Sequence, residues 1–71
     1  MRIGEYVKLK RTNMGYSTNK LSEMSGLSTG HISDIENDRR NNYEMETLQK
    51  LAKGLCVVVE DLLKADKDKT A

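Results

Sequence analysis

Apolar side chains recur along this chain at helical spacing, in five separate stretches. Ile3, Val7, Arg11 and Met14 form the first stripe, and Gly15 offers a stop after it. Leu21 is the clear core residue of the second stretch, with Met24 or Ser25 at its edge. In the third, Ile32 and Ile35 face inward with Glu36 beside them. Met45, Leu48, Leu51, Ala52 and Leu55 mark a fourth amphipathic helix. Val59, Leu62 and Leu63 predict a short fifth.

The polar residues between the stripes are suited to helix ends. Ser17 and Ser28 are good N-caps for the second and third helices. Gly26 permits a left-handed residue between them, and Leu27 is placed to plug that turn into the core. Residues 37–42 read Asn-Asp-Arg-Arg-Asn-Asn, a break whose turn rests on Asn and Asp, which tolerate positive φ. The chain shows no internal repeat and no linker. The expected organisation is one domain over residues 1–64, followed by a polar tail over 65–71 that frays.

Arg11 is the odd member of its stripe. An arginine on an apolar face needs a buried partner or must extend toward water.

Composition narrows the class. With 71 residues the chain is one small domain, able to bury roughly 60% of its extended surface. Net charge is only +1, yet it is unevenly spread. Bases gather at Lys8, Lys10 and Arg11 and again at Arg39 and Arg40; acids gather at Glu44, Glu46, Glu60 and Asp61. That division is compatible with one basic face. Cys56 is the sole cysteine, so no internal disulfide is possible, which fits a reducing cytosol. The longest apolar run, residues 55–59, is far too short to span a membrane. A cytoplasmic protein without membrane contact is expected.

The stretch from about residue 3 to 63 resembles the Cro and phage-repressor type of helix-turn-helix domain. The residues that carry the resemblance are Arg11, Gly15, Ser17, Leu21, Gly26, Leu27, Ser28, Ile32, Ile35, Glu36, Met45 through Leu48, and Leu51-Ala52-Lys53. Their order and spacing together are specific, although no single one is. The resemblance implies an all-α fold: a compact five-helix bundle of the lambda-repressor-like DNA-binding type, with helices two and three forming the motif. It also implies that Arg11 pairs with Glu36, a structural role; the alternative is a phosphate contact.

In such a motif the N-terminal end of the third helix enters the major groove. The residues facing out there are Thr29, Gly30, His31, Ser33 and Asp34, and family position turns Thr29, Gly30 and Asp34 toward base edges. Thr29 can offer a hydroxyl or methyl contact. An ionised Asp34 can only accept, so its natural partner is the amino group of cytosine. Pairing with Lys20 or another cation within the protein is the alternative. Backbone contacts fall to Ser17, Thr18, Asn37, Arg39, Arg40 and Asn41, with the second helix's N-terminus offering N–H groups to a phosphate. For Arg39 and Arg40 the alternative is solvated loop charges. His31 is an ordinary histidine on an exposed helix face. If it faces the groove instead, its protonation would tighten binding at lower pH.

Three positions depart from the family pattern. Tyr43 stands where proline is common, Cys56 near a usual glycine, and Val58 near a usual polar cap. Cys56 in a left-handed conformation would cost about 1–2 kcal/mol. Tyr43 with Val57 or Val58 is expected to form a dimer patch; completing a small core is the other reading.

The leading function is a sequence-specific DNA-binding transcriptional regulator. It would be a repressor that binds a near-palindromic operator in double-stranded DNA as a homodimer, with recognition helices about 34–36 Å apart. The competing reading is a protein-interaction module, such as an antitoxin or adaptor, with a protein partner. An enzyme is disfavoured: there is no serine–histidine or cysteine–histidine arrangement with an orienting partner, no phosphate-binding glycine loop and no metal spacing. Glu60 and Asp61 are adjacent and diverge on a helix. No cofactor and no metal are expected.

Overall fold

A helix leaves backbone groups unsatisfied at each end, and in this chain the residues at the ends supply the partners. The computed structural model describes residues 2–37, 39 and 43–67, the last two by backbone alone. It contains α1 (Ile3–Asn13), α2 (Thr18–Ser25), α3 (Thr29–Glu36), α4 (Met45–Leu55) and α5 (Val59–Lys67). After α1, Gly15 takes φ +73° and the Tyr16 N–H reaches back to the Arg11 carbonyl at 3.0 Å. The Ser17 hydroxyl accepts from the Lys20 N–H at 3.1 Å and starts α2. Gly26, at φ +84°, ends α2. Leu27 is buried just behind it, with its N–H on Ser25 Oγ at 3.2 Å. The Ser28 hydroxyl then accepts from the His31 N–H at 3.1 Å and starts α3.

The helix α4 ends differently. Cys56 takes φ +59° and ψ +39°, left-handed without the freedom of glycine. The Val57 N–H closes the end on the Ala52 carbonyl at 2.9 Å. Among the described residues Cys56 is the only non-glycine with positive φ.

Every helix contributes to one core. Val7, Leu21, Ile32, Ile35, Leu51, Leu55 and Leu62 are fully buried. Burying one such side chain is worth about 1.5–3 kcal/mol against leaving it in water. The helices α2 and α4 approach closely at Gly54. A Cβ on Gly54 would stand 2.8 Å from Ser25 Cβ and 2.9 Å from Leu21 Cδ1. Only a residue without a side chain fits there.

Arg11 and Glu36 tie α1 to α3. Arg11 Nε donates to Glu36 Oε2 at 2.7 Å and Nη2 donates to Oε1 at 3.1 Å. The remaining Nη1 donates to the Tyr16 carbonyl at 2.8 Å, pinning the turn before α2. The two side chains are 13% and 7% exposed. The hydrogen bond to Glu36 raises the guanidinium above its ordinary pKa, more than burial lowers it. A two-pronged, nearly dry pair of this kind turns Arg11 toward the protein and not toward a phosphate.

Of the two residues expected at the edge of α2, Ser25 is the buried one. Two details differ from the sequence expectation. Met45 leaves the α4 stripe and is 54% exposed, because it is the first residue of its helix and precedes the packed turns. The helix α5 runs on to Lys67, past the point where the polar tail was expected to begin. Ala65, three residues after Leu62, continues the buried face. Residues 68–71 lie outside the described residues.

Tyr43 precedes α4, and Val57 and Val58 follow it. Tyr43 and Val57 pack against the core, and Val58 alone stays well exposed.

Candidate nucleic-acid interface

Since α3 turns Ile32 and Ile35 into the core, its opposite side is open. Thr29 and Gly30 are exposed on the first turn, and Ser33 and Asp34 follow one turn later, half-buried. These four occupy one side at helical spacing. The Ser28 cap and the Gly26–Leu27 turn hold that side in place: Leu27 is buried, and the Ser22 hydroxyl donates to its carbonyl.

His31 sits on the flank. It is half-buried and lines a concavity of about 560 Å³ between the start of α3 and the start of α4, opposite Tyr43, Glu44, Thr47 and Lys50. Across that concavity stand the start of α4 and the residues before it, while Asp34 is paired with the chain leaving α3.

The polar residues at the end of α3 are already engaged. Asn37 Nδ2 donates to the Ser33 carbonyl at 2.8 Å and to Ser33 Oγ at 3.3 Å. Asp34 Oδ1 lies 3.3 Å from Arg39 Nη1. The Arg39 backbone N–H also donates to the Asp34 carbonyl, at 2.9 Å. The chain therefore wraps back at the end of α3 and delivers the guanidinium to the carboxylate. Of the two fates open to Asp34, pairing within the protein is the one observed, with Arg39 as the cation and not Lys20. Sequence reasoning placed both residues at the interface but missed that they meet. A spacing of five lies outside the three-and-four rule for helical pairs, so the signal lay only in the loop's path.

At the start of α2, Ser17 is exposed with its hydroxyl spent on the cap, and Thr18 is half-buried. Lys20 is exposed close by. Arg40 and Asn41 lie outside the described residues. Among those that are described, no three His, Cys, Asp or Glu side chains converge as metal ligands. No described helix is long and apolar enough to cross a membrane.

Comparison with known proteins places this geometry among relatives. A family described as helix-turn-helix matches residues 7–57. The HTH-type transcriptional regulator SinR of Bacillus licheniformis is 35% identical over 68 residues, which is 96% of this chain and 60% of that protein. The chain thus spans less than two thirds of that relative's length. Among solved structures, SinR, the master regulator for biofilm formation, in complex with DNA matches with a TM-score of 0.80 at 34% identity, covering 86% of this chain and 97% of that one. A SinR protein/SinI protein complex matches with a TM-score of 0.84 at 33% identity, covering 97% of this chain and 66% of that one.

Proposed function

The chain belongs to the helix-turn-helix family, and on that premise we propose that it is a sequence-specific DNA-binding transcriptional regulator, a repressor that occludes its operator as a homodimer in the cytoplasm. The observation that carries the reading is the match, over most of the chain, to a relative solved on DNA. The open side of α3 supports it: small and polar residues on a rigid bundle, presented at the end a major groove would receive.

In this reading Thr29, Gly30 and Ser33 approach base edges, with His31 at the rim. Gly30 lets the backbone come close, and Thr29 offers a hydroxyl or a methyl. Ser17, Thr18, Asn37, Arg40 and Asn41 contact the backbone, aided by the free N–H groups at the start of α2. Each phosphate neutralised makes binding more sensitive to salt. A second copy doubles the number of bases read and sets the half-site spacing.

Selection from a random duplex DNA library with the purified protein, at near-physiological salt, tests this. A symmetric motif with fixed half-site spacing is the expected result. A folded protein that enriches no sequence would remove the function. A second reading, a module that docks another protein, draws on the likeness to the SinR protein/SinI protein complex. It predicts no enrichment and a stable heteromeric species instead.

A further inference from the structure

We propose that Asp34 and Arg39 form one reading unit, in which Arg39 reads a guanine in each half-site and Asp34 is the positioning residue that aims it. The inference rests on the DNA-reading function proposed above.

The geometry carries the argument. Asp34 Oδ1 holds Arg39 Nη1 at 3.3 Å, and the backbone bond between the same two residues keeps Arg39 against the end of α3. The carboxylate is 38% exposed and the guanidinium 65%, so the arginine is the outer member of the pair. Asp34 lies on the open side of α3, one turn beyond Gly30, and the ion pair keeps the Arg39 guanidinium beside it.

The charge balance then decides what the pair can contact. An arginine bound to a carboxylate adds little net positive charge, so it makes a poor phosphate anchor. An isolated aspartate in the groove would repel phosphates. Together they are nearly neutral, and what remains is directional. A guanidinium carries five N–H donors in a fixed fork, and one nitrogen faces Asp34. The fork that is left matches O6 and N7 of guanine, the commonest specific arginine contact in a major groove.

The library selection is repeated with Asp34→Ala, Arg39→Ala and Arg39→Lys, each first checked by thermal melting. An exposed pair contributes little to stability, so all three are expected to fold. The wild type is expected to prefer guanine at one position per half-site, on the order of ten-fold. That preference should vanish in Asp34→Ala as well as in Arg39→Ala, and lysine should not restore it, because a point charge cannot replace a fork. Asp34→Ala should also bind random DNA more tightly than the wild type does. Loss of affinity for all sequences alike in Arg39→Ala, with every preference kept, would make Arg39 a phosphate contact and overturn the proposal. A preference that survives Arg39→Ala but not Asp34→Ala would make the aspartate itself the reader of the paired cytosine, and would also overturn it. No motif for the wild type would overturn the DNA-reading function and this unit together.

Discussion

Asp34 and Glu36 stand two residues apart on one helix, and each is paired with an arginine, but the pairs differ in almost every physical respect. Glu36 faces inward, takes two donors from Arg11 and is 7% exposed; Asp34 faces outward, takes one donor from Arg39 and is 38% exposed. The inner pair joins two helices through residues 25 apart in sequence, whereas the outer pair joins a helix to the chain just beyond it. A two-residue step on a helix rotates a side chain by about 200°, enough to carry one carboxylate from framework to surface. Residue type therefore says little about the role of an acid in this domain; its place around α3 says most.

The largest test of that division is Glu36→Ala. It leaves the Arg11 guanidinium nearly buried without its carboxylate, and unfolding in urea should show a loss of about 3–5 kcal/mol. A loss below about 1 kcal/mol would erase the distinction between the pairs. Gly54→Ala probes the framework without touching any charge. The added methyl strikes Ser25 and Leu21, an overpacking that outweighs alanine's better helix propensity, for a net loss on the order of 1–2 kcal/mol. Base preference should be unchanged in the folded fraction; a shift would mean that α2–α4 packing sets the reading surface. Cys56→Gly should go the other way. Cys56 is exposed and left-handed, so glycine relieves strain at little packing cost, for a gain of about 1 kcal/mol less the added freedom of the unfolded chain. A lower melting temperature would contradict that account. The smallest effect is expected for Asp34→Ala, under about 1 kcal/mol at low salt and close to nothing at 1 M, since an exposed pair is screened. Salt sensitivity of the Arg11–Glu36 contribution in the same comparison would show it to be wetter than its geometry says.

Much of the framework was legible in the sequence because its signals are local. Ser17, Gly26 and Ser28 declare helix ends by their chemistry, and Leu21, Ile32 and Ile35 declare a buried side by spacing. The run of α5 to Lys67 was missed, because the charged residues around Ala65 hid its place on the stripe of Leu62. Gly54 was not legible, since its reason is a neighbour on another helix. At the interface the composition of the open side could be read from α3, while the meeting of Asp34 with Arg39 depends on how the chain leaves the helix. That Tyr43 and Val57 pack on the core while Val58 stays exposed depends on neighbours from other parts of the bundle, which spacing along the sequence does not display.

Both helices of the motif are short. The eight residues of α2 and the eight of α3 fall below the roughly 12–15 that an isolated helix needs in water. Neither has a structure of its own to fall back on when α4, α5 or the Arg11–Glu36 tie is lost. The reading helix is in effect borrowed from the rest of the bundle. A damaged or partly digested copy would therefore present no weakened version of the surface, and the amount of that surface on offer is set by how many chains are wholly folded.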